Sequence, residues 1–396
     1  MASHGGMPEM HGMYGRYPAN RDASGTSWQP DSSPMGGIHI MKDDWAFMAH
    51  GFANAVYDEQ SGPRGGEKVF STNMLALMGE YDFKGAIGGL RTMFSLEPLT
   101  VGKKGYPLLL QTGETANGQT ELIDRQHPHD LYMELAGTLA LPINDDGSIF
   151  SYFGLPGEPA LGPPVFMHRF SGEEIPAAPI GHHWMDSTHI TFGVVTLGYI
   201  WKTIKAEGSF FTGREPGADR WNIEPPAMDS WSGRLSVNPT KDWAFQASWG
   251  HLKSPEELHP DSDTDRYSVS AMYNKAWGVN NWQTTLAWGI NVNDPGHQLN
   301  AALLESTVRL CNTHTVFGRV ETVEKDDLFQ EGSPLYSRVF TVTKVELGYI
   351  YDLPAWQHTV WGVGASGSAC LLPGTLQEYY DDTPISLMIF ARAKLW

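Results

Sequence analysis

The C-terminal stretch, residues 383–396 (TPISLMIFARAKLW), alternates with a period of two. One parity is apolar from Ile385 to Leu395, whereas the other carries the cations Arg392 and Lys394. Because successive side chains of a strand point to opposite faces, this pattern predicts a β-strand with one apolar and one polar face. In a transmembrane barrel, lipid covers the apolar face and the lumen receives the polar one. The stretch therefore favours an outer-membrane type of strand.

The same alternation recurs upstream and predicts about sixteen strands between residue 43 and the C-terminus. Connections after even-numbered strands are short, and those after odd-numbered strands are mostly longer, with the longest at about 97–129 and 156–188. Short turns on one rim and long loops on the other are typical of bacterial barrels. We therefore predict an all-β fold, a transmembrane antiparallel up-and-down β-barrel over 43–396, with the long loops extracellular and both termini periplasmic.

Composition supports this class. A hydrophobic content of 41% and a mean hydropathy of -0.31 are too polar for a helical membrane protein, and no run of about 18 apolar residues occurs. The 14 tryptophans suit belts at a membrane interface, so we expect outer-membrane lipid and lipopolysaccharide as surroundings. A net charge of -18 argues against nucleic acid as a partner.

Residues 1–42 lack periodicity and are rich in Gly, Pro, Met and His, which predicts a flexible, disordered periplasmic arm. The first residues lack the basic and apolar regions of a signal peptide, so an exported chain would start here at a processed or engineered N-terminus. Thioethers and imidazoles together are ligands that suit Cu(I). The predicted metal ligands of the arm are His4, Met7, Met10, His11, Met13, His39 and Met41.

A Met/His-rich periplasmic arm on a barrel resembles the layout of the copper resistance protein B family. The stretches Ser24–Met41 and Leu122–Asp130 also resemble an uncharacterised family of porin-like Gram-negative outer-membrane β-barrels with a suspected heavy-metal role. The resemblance implies an outer-membrane location and a suspected role in copper or heavy-metal handling, but no established activity.

The two longest loops carry a second group of candidate ligands: His127, His129, His182 and His183. These residues could form a metal site, or an acid–base set for a metal-dependent enzyme at the barrel rim. Alternatively, the loops fold inward and the histidines make ordinary hydrogen bonds. No Ser-His-Asp elbow, phosphate loop or CxxC motif occurs, so we assign no catalytic residue and expect no enzyme.

Charged side chains on the inward parity form the third group. They either pair across neighbouring strands or form a constriction that tunes permeation. The predicted lumen residues are His50, Arg91, Glu134, Arg234, Glu305, Arg309, Arg319, Glu321, Lys344, Glu346, Arg392 and Lys394.

Together these patterns predict a barrel channel for small solutes or metal ions, in copper or heavy-metal handling, with Cu(I) as the one candidate cofactor. Two alternatives stay open: the rim enzyme, and a plugged structural or adhesive barrel.

Overall fold

A computed structural model describes residues 11–395 and contains a closed antiparallel barrel of sixteen long strands. The count and the closure confirm the predicted fold class. The barrel strands are β1 Trp45–Gln60, β2 Gly66–Asp82, β3 Ile87–Phe94, β4 Tyr132–Asn144, β5 Gly147–Gly154, β6 Val194–Trp201, β7 Ile204–Phe211, β8 Ser230–Thr240, β9 Trp243–Leu252, β10 Asp263–Trp277, β11 Asn280–Asp294, β12 Gln298–Leu310, β13 His314–Lys325, β14 Phe340–Asp352, β15 Thr359–Leu371 and β16 Ile385–Leu395.

The C-terminal strand closes the barrel. β16 pairs antiparallel with β1, with Ile389 opposite Tyr57 and Arg392 opposite Asn54. Beyond the end of β16, the short strand Ile38–Lys42 continues along the same edge of β1. Closure leaves no unpaired sheet edge, which is the condition for a strand structure to stand in lipid.

Side-chain exposure follows the predicted parity. On β16, Ile385 and Ile389 are 59% and 52% exposed, whereas Phe390 and Arg392 are buried on the inner face. On β14, Leu347 is 65% exposed and its neighbour Glu346 is buried. An apolar outside and a polar inside invert the pattern of a soluble protein and match a lipid-facing wall. No helix in residues 11–395 is long and apolar enough to cross a membrane.

The two rims differ as predicted. We call the rim with the connections 83–86, 145–146, 202–203, 241–242, 278–279, 311–313 and 353–358 the short-turn rim. The opposite, long-loop rim carries the connections 61–65, 95–131, 155–193, 212–229, 253–262, 295–297, 326–339 and 372–384.

The two longest loops, predicted at 97–129 and 156–188, fold into the barrel, which is the inward alternative stated above. Residues 155–193, here the inner loop, are almost entirely buried within the barrel and include the short helices His182–Met185 and Ser187–His189. Residues 95–131 form a helix, Glu97–Thr100, and a largely buried hairpin, Tyr106–Thr115 with Glu121–Gln126. Their apolar side chains join the core, which is why these loops fold inward.

The N-terminal arm is also not flexible where the structure describes it. Residues 11–37, here the N-terminal segment, enter at the short-turn rim and bury Tyr14, Tyr17 and Trp28 against the barrel wall. The segment contains the strands His11–Gly12 and Gly15–Pro18 and a helical turn, Ala19–Arg21. The prediction of a disordered arm is therefore wrong for residues 11–42. Because its short turns bury aromatic side chains one at a time, the segment has no periodic sequence pattern that could predict its order.

The two inserted segments meet inside the barrel. Ser24 Oγ donates to Glu158 Oε1 at 3.1 Å and accepts from Val165 N at 3.0 Å. The N-terminal segment thus fills the lumen from the short-turn rim, and the inner loop fills it from the long-loop rim.

Candidate metal-binding sites inside the barrel

Charged wall residues hold the inner loop in place. Arg169, which is 1% exposed, contacts Glu305 Oε1 at 2.5 Å and Asp186 Oδ2 at 2.7 Å. Arg319 contacts the other oxygen of Glu305 at 3.1 Å and donates to the Ala177 carbonyl. Charges this deeply buried are stable only when paired and hydrogen-bonded. The wall charges therefore anchor a loop.

Other predicted lumen charges follow the same rule. Glu174 of the inner loop accepts from Arg309 Nη2 and Lys394 Nζ, both at 3.0 Å, and also pairs with Arg392. Glu321 accepts from Gly181 N at 3.0 Å. Lys344 and Glu346, two further predicted lumen residues, lie 3.8 Å apart and pair with each other within the barrel wall.

The N-terminal segment is anchored in a similar way. Arg91 pairs with Glu134 at 3.2 Å and donates to the Gly25 carbonyl at 2.7 Å. Arg234 donates to Thr26 Oγ1 at 3.0 Å. Both segments are thus held by the inward charges that the sequence indicates, although the sequence does not indicate what those charges bind.

A cavity of about 380 Å³ lies near the short-turn rim, between the N-terminal segment, the inner loop and strands β1–β3. We call it the Met/His cavity because eight methionines and four histidines contribute to its lining. These side chains are Met13, Met35, Met41, Met48, Met74, Met78, Met93, Met167, His11, His39, His50 and His168.

Strand register brings these side chains together. Met48 of β1 lies opposite His39 on one side and opposite Met78 of β2 on the other. The inner loop adds His168, whose Nε2 lies 3.4 Å from Met93 Sδ. Its ring also stands 5.2 Å from the ring of His50, between centroids. Nitrogen and sulfur donors from three parts of the chain therefore share one space.

Electrostatics of the Met/His cavity favour a cation. Seven carboxylates and only two basic side chains line it. Burial lowers the pKa of His168 well below its usual value, so this imidazole stays neutral and keeps a lone pair for a metal.

The cavity contains four of the predicted arm ligands, His11, Met13, His39 and Met41. The other three, His4, Met7 and Met10, lie outside the described residues. The sequence analysis missed the methionines of β1, β2 and β3. Their signal was available, because Met48, Met74, Met78 and Met93 share the inward parity of neighbouring strands.

The loop histidines form a second cluster inside the barrel, and His189 joins the four that were predicted. Ring centroids lie 5.6 Å apart for His182 and His183, 5.2 Å for His182 and His189, and 5.3 Å for His129 and His189. His127 is 6.3 Å from His183. The two longest loops thus bring five imidazoles into one contiguous group.

Hydrogen bonds at Nδ1 orient several of these rings. His129 Nδ1 lies 2.9 Å from Glu97 Oε2, and His182 Nδ1 lies 2.6 Å from Asp186 Oδ1. His189 Nδ1 lies 3.0 Å from the Asp186 carbonyl. Within residues 11–395, the buried Nε2 atoms of His129 and His189 have no hydrogen-bond partner. A fixed Nδ1 with an available Nε2 is the arrangement that metal-binding histidines use.

One end of the cluster faces a second cavity, of about 420 Å³, at the long-loop rim. There His183, Glu215 and Glu256 offer ligand atoms that all lie within 4.8 Å of one another. Burial lowers the pKa of His183 well below its usual value and raises that of Glu215. Burial, together with the charge of Glu215, raises the pKa of Glu256 to about 8. Periodicity could not reveal the two glutamates, since they come from separate loops.

Comparison with solved structures agrees with the strand count. An anion-selective porin from Comamonas acidovorans superposes with a TM-score of 0.53 at 11% identity, covering 89% of this chain and 100% of the porin. This is a porin-like barrel. Salmonella typhi OmpF, in a complex with daunomycin, gives 0.54 at 10% identity over 90% and 100% of the two chains. Pseudomonas putida OprB gives 0.53 at 11% identity over 89% and 94%.

The likeness concerns the fold. No protein-family model matches the sequence, and no curated protein does either. The layout resemblance to the copper resistance protein B family therefore stays a prediction.

Proposed function

We propose that this chain is a Gram-negative outer-membrane barrel that binds soft metal ions, Cu(I) foremost, in its Met/His cavity. An outer-membrane location is supported by the apolar outer wall and by aromatic pairs at the short-turn rim. Trp45 contacts Tyr81, and Trp243 contacts Tyr273, each with ring centroids 4.9 Å apart. Aromatic side chains at such a height suit the membrane interface.

One observation carries the metal assignment. Eight of the sixteen methionines in the chain line this single cavity, together with four histidines. Methionine also fills gaps in ordinary cores, where it packs without leaving a cavity. Here the thioethers surround about 380 Å³ of space and meet neutral imidazoles under an excess of carboxylates. Soft donors of this kind select Cu(I), and Ag(I) by the same chemistry.

Because the inserted segments occupy the lumen, they determine how an ion could pass through the barrel. With the inner loop and the N-terminal segment docked, residues 11–395 enclose a binding cavity at the short-turn rim, and both segments occupy the lumen. Passage of an ion would then require one segment to move. The alternative function is that of a plugged structural barrel. Such a barrel is not expected to bind Cu(I).

Competition for Cu(I) against a chelator tests the proposal. In detergent-purified full-length protein, Met48→Leu, Met78→Leu and Met93→Leu combined remove three thioethers at nearly constant volume. We expect the affinity for Cu(I) to fall at least tenfold. Met272→Leu with Met388→Leu is the matched control, since both are buried methionines of other strands, and it should leave the affinity unchanged.

Equal affinities in the wild type and the triple variant would refute the assignment to the Met/His cavity. An absence of Cu(I) binding in the wild type would favour the plugged structural barrel.

A further inference from the structure

A second and chemically different site stands out at the other end of the barrel. Three loops of the long-loop rim converge there: the inner loop brings His183, the connection 212–229 brings Glu215, and the connection 253–262 brings Glu256. Their ligand atoms lie within 4.8 Å of one another. This grouping contains no sulfur and lies away from the Met/His cavity, from which its residues are absent.

The polar atoms of this group are incompletely satisfied. His183 is 6% exposed, and its Nε2 lies 3.5 Å from Glu215 Oε2 without a hydrogen bond. Glu215 is also 6% exposed, and among the described residues its Oε1 has no hydrogen-bond partner. Buried polar atoms without partners are costly and rare, and the lone pairs of these two side chains are available to a bound cation.

Backbone geometry holds His183 in position. Gly113 has a φ of +100°, and a Cβ there would stand 2.3 Å from His183 Cε1, so only glycine admits the ring. Asn291 donates to the His183 carbonyl at 3.0 Å and fixes the backbone from the wall. Arg266, the arginine in the lining of this cavity, directs Nε to Asn291 and Nη1 to Ser187. His183 is thus held by the wall and the hairpin.

The surroundings favour a cation with access from the long-loop rim. Seven carboxylates and a single arginine line the 420 Å³ cavity. Its wall runs from buried His183 to the exposed loop residues Pro260 and Asp261. Clefts lined by one sign of charge concentrate ions of the opposite sign.

We propose that His183, Glu215 and Glu256 bind a divalent first-row transition ion, with Zn(II) and Cu(II) as the best fits. One imidazole and two carboxylates form a nitrogen–oxygen ligand set, which suits borderline cations and lacks the sulfur donors that Cu(I) prefers. Three protein ligands leave a further coordination position for water or another ligand. The proposal goes beyond the soft-metal function and does not depend on it.

Calorimetric titration of the metal-free full-length protein with Zn(II) tests the site. Glu215→Gln and Glu256→Gln keep the size of each side chain and remove its charge, and each should weaken Zn(II) binding at least tenfold. Glu257→Gln is the matched control, because Glu257 lines the same cavity one residue away and should leave the affinity within about twofold.

Failure to bind Zn(II) in the wild type, or equal weakening by Glu257→Gln, would overturn the proposal. If a glutamine variant does not fold, zinc-edge anomalous diffraction from wild-type crystals decides the matter, since a peak must lie between the three side chains. The Met48→Leu, Met78→Leu, Met93→Leu protein should keep wild-type affinity for Zn(II), which separates this site from the soft-metal proposal.

Discussion

Replacement of Arg169 by alanine should release the inner loop. The Arg169 guanidinium is 1% exposed and holds Glu305, Asp186 and the Pro164 carbonyl, at 2.5, 2.7 and 2.7 Å. Its loss leaves two buried carboxylates short of a counter-charge. Removing one partner of a buried ion pair costs about 3–5 kcal/mol.

That free energy translates into a measurable opening. At about 1.4 kcal/mol per factor of ten, the equilibrium between docked and undocked inner loop should shift by about 100-fold to a few thousandfold. Hydrogen exchange of the amides of 155–193 reports this shift directly, because local opening limits the exchange of buried amides. The barrel strands should keep their protection, since Arg169 belongs to no strand.

The control uses the same substitution at a surface pair. Arg214 contacts Glu224 while its side chain is 48% exposed, and such pairs contribute about 0–1 kcal/mol. Arg214→Ala should therefore leave exchange in the inner loop within about fivefold of the wild type. If Arg169→Ala behaves in the same way, the wall charges do not hold the loop, and our account of the lumen is wrong.

Three further predictions follow from the structure. Leu347→Arg, at a side chain 65% exposed on the outer wall, should block membrane assembly because a cation near the bilayer midplane costs about 2–4 kcal/mol. The control Leu353→Arg lies in a short turn and should assemble normally, and heat-modified gel mobility distinguishes the two results. Burial raises the pKa of Glu158 from 4.5 to about 8, so docking of the inner loop should weaken steadily as the pH rises from 4.5 to 8 and then level off. Hydrogen exchange of the inner loop, corrected for intrinsic rates, should show this pH dependence in the wild type and lose it in Glu158→Gln. An unchanged pH profile in the variant would contradict the prediction. Deletion of residues 1–37 removes no barrel strand but takes His11, Met13 and Met35 from the Met/His cavity. The barrel should therefore still assemble while its affinity for Cu(I) falls. An undiminished affinity would place the Cu(I) site elsewhere.

The barrel was predictable because lipid-facing and lumen-facing residues alternate along its strands. The outward parity of residues such as Leu347 and Ile389 follows from lipid contact, and every strand repeats it. The alternation of short and long connections then gives the two rims and the even strand count. Both features are local in sequence, so no tertiary information is needed to find them.

The contents of the lumen were not predictable in the same way. Tyr14 and Trp28 are buried through contacts that reach more than a hundred residues along the chain, as Tyr14 does with Ser148 and Phe150 and Trp28 does with Lys205. Segments without a regular period give no sign of such burial. Their composition suggested disorder, although the wall supplies the partners that order them.

The candidate sites fall between these two cases. Residue types indicated the clusters at His11–Met41 and at His127–His183, since methionine and histidine are unusual in loops without a core role. Their other members come from inward positions such as Met78 and Met93, or from separate loops such as Glu215. Only the register of the sheet and the folding of the loops bring those residues to the same place.

Copper-edge X-ray absorption of the full-length protein loaded with one equivalent of Cu(I) tests the central claim most directly. We expect a first shell that contains sulfur scatterers together with nitrogen, and a weaker sulfur contribution in the Met48→Leu, Met78→Leu, Met93→Leu protein. A first shell of nitrogen and oxygen alone in the wild type would contradict the assignment of the Met/His cavity as a soft-metal site.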